Sequence, residues 1–424
     1  MNRARRSPLF LMALTIFIDF AGFGVVLPLL PFWAEHRGAG AVGVGLVLTV
    51  YALAQFIFTP LLGALSDRYG RRPIIVVSLL IEALSLALSA LAGSLPMLLV
   101  ARCIGGLGAS NTGSAQAVVA DVTPVEKRAQ GMGLIGAATG LGFVVGPALG
   151  GVLAPLGPAV PFWVAMIVAL ANALLVLCFL PETHYMRATT QAPAPADTTM
   201  PFTKQERRGM LAGWKQVLRH PMLARLVVIN LLFTLAFTMM EAVFPLFAHH
   251  LFGWTALQNG YIFAFVGIAL VITRGSLAGR LVKRWGERSL LIAGLGMLAA
   301  GLGMLSWSTN TAMVLSALGV VSVGNGVVTP MVSALLSFTS QPWAQGETLG
   351  LAQGVAGLGR AIGPLVAGSI FAIGGPGAPF ILASTLAMLA TLIALPALSS
   401  KYGVPFRHST PDVQTVSTAR DRSS

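Results

Sequence analysis

The sequence predicts an all-α polytopic membrane protein with twelve transmembrane helices in two pseudo-symmetric six-helix halves. Three observations carry that prediction. Fifty-five per cent of the residues are hydrophobic and only ten per cent charged, whereas a soluble surface needs about a quarter charged residues. Apolar stretches long enough to cross about 30 Å of hydrocarbon at about 1.5 Å of rise per residue fall near 9–31, 42–65, 74–93, 96–120, 129–155, 160–181, 222–248, 257–281, 289–307, 312–337, 347–373 and 377–398. A charged turn, Gly63-Ala-Leu-Ser-Asp67-Arg68-Tyr-Gly70-Arg71-Arg72-Pro73, recurs about half a chain later as Gly279-Arg-Leu281-Val-Lys283-Arg284-Trp-Gly286-Glu-Arg288. The chain therefore reads as two copies of one design, 1–181 and 222–398, joined by a linker at 182–221 and followed by a tail at 399–424.

The net charge of +13 resolves into topology rather than nucleic-acid binding. Nearly all Lys and Arg fall in the N-terminal tail, the even-numbered turns, the central loop and the C-terminal tail; Arg37 lies on the other side, and Arg102, Arg274 and Arg360 sit inside apolar runs. This imbalance predicts cytoplasmic termini. The opening Met-Asn-Arg-Ala-Arg-Arg runs into more than 20 apolar residues without a small-residue cleavage site, so it reads as a first spanning helix rather than a removable signal.

A spanning segment must satisfy its own backbone hydrogen bonds, and no alternation of polar and apolar positions supports a barrel. In the linker, Ala192-Pro-Ala-Pro-Ala196 reads as flexible. From Thr203 a capping box with Glu206 opens a basic amphipathic helix carrying Trp214 and Leu218, suited to an anionic inner membrane surface and ending at Pro221. The tail reads as disordered. Cys103 and Cys178 read as small buried thiols within spans.

The second-to-third-span turn, Gly63-x-Leu65-x-Asp67-Arg68-x-Gly70-Arg71-Arg72, resembles the signature loop of the major facilitator superfamily. Lys283 replaces the Asp67 equivalent in the second copy. Gly142-x-x-x-Gly146-Pro147-x-x-Gly150-Gly151 resembles the fifth-helix motif of drug/proton antiporters, and Gly363-Pro364-x-x-Ala367-Gly368 echoes it. Arg102-x-x-Gly105-Gly106-x-Gly108 is similar to the fourth-helix motif tied to proton coupling. Asp19-x-x-Gly22-x-Gly24-x-x-x-Pro28-x-x-Pro31 resembles the first helix of twelve-helix drug/proton antiporters, tetracycline exporters among them. The resemblance runs from about residue 9 to 398 and implies the major facilitator fold and alternating access. Positions aligned with further membrane acids and a histidine of tetracycline exporters read Ser85, Leu298 and Leu270, so the implied class is the broader one: export of a small amphipathic compound in exchange for protons. A carrier of a metabolite, sugar or lipid-like molecule is the alternative.

Membrane carboxylates and arginines carry the expected chemistry, because each is costly unless paired or facing water. The resemblance places Asp19, Arg102 and Glu241 at a central cavity. Asp19, among Phe17, Phe20 and Phe23, is the first candidate for proton exchange, since desolvation favours a group able to hold a proton; a permanent pair with a buried Arg is the competing reading. Glu241, after Met239 and Met240 and before Phe244, reads either as a charge in a soft, adaptable wall or as part of a helix-packing stripe. Arg102 and Arg360 either hold carboxylates or meet an anionic substrate group, and Glu82 reads as a structural or a coupling acid. His249 and His250 fall at the outer end of the seventh span.

Asp67, Arg68, Arg71 and Arg72 form either a solvated loop or, with Asp121, the inner gating network that the resemblance implies, Asp67 then facing a helix of the opposite half. Gly131-x-Gly133-x-x-Gly136 follows no strand, so it predicts no nucleotide site. No nucleophile elbow or metal-spaced His/Cys cluster predicts an enzyme, a metal or a cofactor. The expected partners are a small-molecule substrate, protons and the bilayer, with the protein a monomer. The Ala, Gly and Leu bias, the short outer loops and the lack of an Asn-x-Ser/Thr acceptor point to a bacterial inner (plasma) membrane.

Overall fold

The computed structural model describes residues 3–35, 38–123, 128–182, 220–340 and 345–398, and their regular structure is entirely helical. The predicted linker helix from Thr203 and the C-terminal tail lie outside these residues. The first half holds α1 (Arg3–Val26), α2 (Leu30–Glu35), α3 (Ala41–Tyr69), α4 (Arg71–Leu91), α5 (Leu95–Gly108), α6 (Thr112–Val122), α7 (Arg128–Leu153) and α8 (Val160–Phe179). The second holds α9 (Pro221–Phe252), α10 (Ala256–Ile272), α11 (Ala278–Ser306), α12 (Thr311–Thr339), α13 (Gln345–Gly374) and α14 (Ala378–Ala394).

Two expected continuous spans are broken, each for a local reason. The first stops at Val26, because Pro28 and Pro31 lack the N–H that would carry the helix onward; α2 restarts it at Leu30. The fourth changes to a 3-10 turn at Ala109–Asn111, just after Gly105, Gly106 and Gly108. There α5 lies against two neighbours at once. A Cβ on Gly106 would strike the carbonyl of Tyr51 on α3, and one on Gly108 would stand 2.7 Å from the backbone nitrogen of Glu82 on α4. Gln55 Nε2 donates to the carbonyl of Ala109 at 3.1 Å, satisfying an acceptor at the break.

Nine helical stretches among the described residues are long and apolar enough to cross a membrane. One of them, Ala256–Ser306, is reversed at Gly286, whose φ of 75° and ψ of 163° a side chain would strain. This is the repeat of the turn at Gly70. Ile57, Leu61, Leu84, Ile167 and Leu174 lie exposed along the helices, as a bilayer rather than water as solvent would have it. Cys103 and Cys178 share that outer surface, which corrects the expectation of buried thiols: against hydrocarbon a small apolar residue is as well placed outside as inside.

Within the first half α1 packs on α7 and α8, and α4 on α5 and α8; within the second, α11 packs on α12 and α14, and α9 on α13 and α14. The halves meet where α3 lies on α13 and α7 on α10. These junctions are tightest away from the Asp67–Arg72 loop. At that far end a Cβ on Gly45 would strike the Pro364 carbonyl oxygen, one on Gly368 the Ala41 carbonyl, and one on Gly260 would lie 2.6 Å from the Pro147 carbonyl. At the loop end no described atom comes within 4 Å of where a Cβ would stand on Gly133, Gly136, Gly275 or Gly354. The halves are clasped at the far end and parted at the loop end.

Candidate functional site

The first half buries three ionisable residues at mid-depth. Asp19 on α1 is 8% exposed, Glu82 on α4 6% and Arg102 on α5 3%. Asp19 and Glu82 line one cavity, and Glu82 lies within electrostatic reach of both Asp19 and Arg102. The guanidinium of Arg102 donates to Ser89 Oγ at 2.8 Å and lies 6.0 Å from the Tyr51 ring centroid and 5.8 Å from that of Phe162, close enough for cation–π attraction. Ser89 in turn donates to the Ser85 carbonyl, and Ser85 to the Ala101 carbonyl, both at 2.7 Å. Arg102 thus supplies positive charge near the acids while its own contacts are hydroxyl and aromatic.

This grouping fixes where Glu82 points. It sits beside Asp19 rather than at the periphery. Tyr51 is a member that sequence reasoning missed; its signal was a polar aromatic on α3 one helical turn before Gln55. Of the phenylalanines, Phe17 lines the cavity with Asp19. Phe20 and Phe23 turn to Phe143 on α7, with centroids 5.3 and 6.0 Å away, and Phe23 also meets Tyr51 at 5.3 Å.

In the second half, half-buried Glu241 on α9 and exposed Arg360 on α13 act on each other electrostatically. The soft wall is not found beside them. Met239, Met240 and Phe244 are fully buried, with Phe244 in edge contact with Trp254 and Phe263 at 6.4 and 5.8 Å, so these residues pack helices. Arg274 stands on a π-helical turn, Thr273–Leu277, and donates to Asn325 Oδ1 at 2.9 Å and Thr329 Oγ1 at 3.4 Å on α12. His249 and His250 close against backbone carbonyls of Trp254 and Leu246 at 3.0 and 3.1 Å and pack edge-on to Phe32 and Phe371.

At the loop end Arg71 gathers the charges. It is 2.6 Å from Asp67 and 3.5 Å from Asp121, and it donates to Ser66 Oγ at 2.7 Å. Asp67 is exposed and pairs with Arg71 one turn along in its own half; the expectation that it faces a helix of the opposite half belongs to the state in which this end is closed. Arg68 lies over the Tyr69 ring at 5.4 Å, and the Arg72 guanidinium donates to the Leu177 carbonyl. Glu182 was missed. Its carboxylate accepts the backbone N–H groups of Arg71 at 2.8 Å and Arg72 at 3.3 Å, stabilising the positive N-terminus of α4. Replacing Arg71 with alanine is expected to slow substrate turnover roughly tenfold with KM within about twofold, because it removes a transition-linked contact rather than a binding one; initial rates across substrate concentrations in proteoliposomes check this.

The glycine motif of α7 has two faces. Gly142, Gly146 and Gly150 let α7 lie backbone to backbone on α1 at Phe17, Ala21 and Val25, while Gly151 and the Pro147 carbonyl meet Ala256 and Gly260 of the other half. Small residues serve close helix approach in hydrocarbon.

The Major Facilitator Superfamily profile matches residues 12–278 and 275–413. Among relatives, the major facilitator superfamily domain-containing protein 10 of Mus musculus is 28% identical, over 92% of each chain. The class E tetracycline resistance protein of Escherichia coli is 32% identical, over 84% of this chain and 86% of its own. Among solved structures, the human organic anion transporter MFSD10 (TETRAN) superposes with a TM-score of 0.69 at 28% identity, covering 93% of this chain and all of that one. A bacterial homologue of the lysosomal transporter Spinster, inward-facing and unoccupied, superposes with a TM-score of 0.76 at 14% identity, over 94% and 97%. The helical architecture, the repeated charged turn and these matches over nearly the whole chain make this a multi-pass membrane transporter, not an enzyme, belonging to the Major Facilitator Superfamily.

Proposed function

We propose that the protein is a proton-coupled exporter of small amphipathic compounds that works by alternating access, with twelve spans, both termini in the cytoplasm and a bacterial inner membrane as its home. The observation that carries the reading is the buried group Asp19, Glu82 and Arg102 in a half that is clasped to its partner at one end only. Two carboxyl groups and one guanidinium at mid-membrane form a set that takes up and gives back a proton at little structural cost, because Arg102 balances one negative charge and not two. The positive-inside rule puts the Arg71 loop, and the parted end, in the cytoplasm.

In the cycle, substrate enters from the cytoplasm while the acids are deprotonated. The Arg71–Asp67–Asp121 network meets the other half when the inner end closes, and the glycine clasp releases outside. Protonation of Asp19 or Glu241 from that side expels the substrate and favours return. The protein acts as a monomer, since each chain carries both halves and the interface between them.

Glu241 and Arg360 set substrate charge. Glutamine at Glu241 is expected to lower the preference for lipophilic cations over neutral analogues about tenfold and to raise the competitiveness of anions, because Arg360 then lacks its counter-charge; competition assays in vesicles read this directly. The organic anion named for the MFSD10 structure is matched in charge by Arg274 and Arg360, both of which are exposed. The test of the whole reading is proton flux in proteoliposomes challenged with lipophilic cations, a tetracycline, organic anions and sugars. Substrate-dependent proton movement is expected. Transport with no accompanying proton movement overturns the coupling and favours a facilitated metabolite carrier.

A further inference from the structure

Helices α7 and α8 both pack on α1 but scarcely on each other, and a crevice of about 110 Å³ lies between them with α1 as its floor. Leu149 and Val168 stand at its mouth, 44% and 42% exposed. Val168 is about 12 Å along α8 from Val160, at about 1.5 Å per residue, so the mouth opens into one leaflet of the bilayer on the clasped side rather than into water. The walls are apolar, Val145, Leu153 and Val164 among them, and Asp19 and Glu82 lie at the bottom. Gly22 is the window in the floor: a Cβ there would come 3.7 Å from Glu82 Oε1, so any longer side chain would cover the acid. Glu82 Oε2 is buried with no hydrogen-bond partner among the described residues.

We propose that this crevice is a binding site for the head of an alkylammonium amphiphile, entered from the membrane and separate from the path between the two halves. Charge and shape each support that ligand. Arg102 balances only one of the two carboxylates, so an ammonium can take the place of the proton that otherwise neutralises the second. An ammonium N–H supplies the donor that Glu82 Oε2 lacks, and a buried acceptor left unmet is costly. A cavity of about 150 Å³ holds a benzene-sized molecule, so 110 Å³ takes an ammonium and a few methylenes, and the tail trails past Val168 into lipid.

The test is equilibrium binding of radiolabelled dodecylamine to the full chain in phosphatidylcholine nanodiscs, with empty nanodiscs as the baseline for partition into lipid. Saturable binding is expected, weakened tenfold or more by Glu82→Gln, by Gly22→Leu, which shuts the window and keeps the acid, and by Val168→Trp, which plugs the mouth from the exposed face without crowding the interior. Dodecyltrimethylammonium, wider and without an N–H, is expected to bind at least tenfold more weakly. Binding that matches the empty nanodiscs overturns the proposal. So does a loss confined to Glu82→Gln, which would put the amine in the path between the halves. Because the readout is binding, the inference does not rest on antiport: a protein that bound the amine and moved no protons would overturn the coupling and leave the crevice.

Discussion

Replacing Asp19 with asparagine is expected to reduce substrate-dependent proton release to below a tenth of the wild-type rate while leaving membrane insertion and helix packing intact. Asparagine has nearly the same volume as aspartate and fits the same floor beside Phe17 and Gly22. It cannot ionise. The change removes one of two like charges buried together, so the variant is expected to be at least as heat-stable as the wild type, since a carboxylate in the membrane costs about 2.5–3.5 kcal/mol on insertion scales. What it removes is the exchangeable proton. Downhill substrate flux is expected to survive, because the rocking of the halves depends on the clasp and the Arg71 network rather than on Asp19. Proton release, substrate flux and thermal unfolding measured on one preparation separate these effects. Full proton release in the variant would move the coupling role to Glu82 or Glu241, and glutamine at each of those positions would identify which.

Much of this arrangement was legible before any coordinates. Charge marks where the chain returns to water, so the spans, the two copies and the loop at Asp67 could be read directly; Arg71 and Asp121 were named together although fifty residues apart in sequence, on the strength of family likeness. Direction within the membrane was not legible. Hydrocarbon and protein interior are almost equally apolar, so an apolar helix carries little moment to say which face is buried. That is why Met239 and Met240 were open to being a substrate wall and turn out to pack helices, and why Cys103 and Cys178 were expected inside and lie outside. Glu82 was ambiguous for the same reason: its depth on α4 followed from counting residues, but its azimuth, toward Asp19, did not. Tyr51 and Glu182 fell outside every motif, and their roles come from approaches between helices distant in sequence.

Valine at Gly260 and at Gly45 is expected to lock the transporter with its loop end shut. The clasp is made twice, in pseudo-symmetry: the Pro147 carbonyl sits against Gly260, and the Pro364 carbonyl against Gly45. At Gly260 an added Cβ would lie 2.6 Å from that oxygen and 2.8 Å from the Gly151 Cα. Both obstacles are backbone, so neither swings away as a side chain end would, and the helices must part. Overpacking of this kind costs about 1–3 kcal/mol, and it is felt only where α7 meets α10 and α3 meets α13, in the far-end-closed state. Each 1.4 kcal/mol shifts the two-state equilibrium tenfold, and the two sites are far enough apart for their effects to add. A cysteine placed at Gly136, which faces the parted loop end, reports the state once Cys103 and Cys178 are changed to serine. In the otherwise native background it is expected to react readily with a membrane-impermeant thiol reagent applied from the loop side; with both valines, labelling is expected to fall at least tenfold and transport with it. Undiminished labelling would mean that the glycines only pack helices and that the halves separate by another hinge.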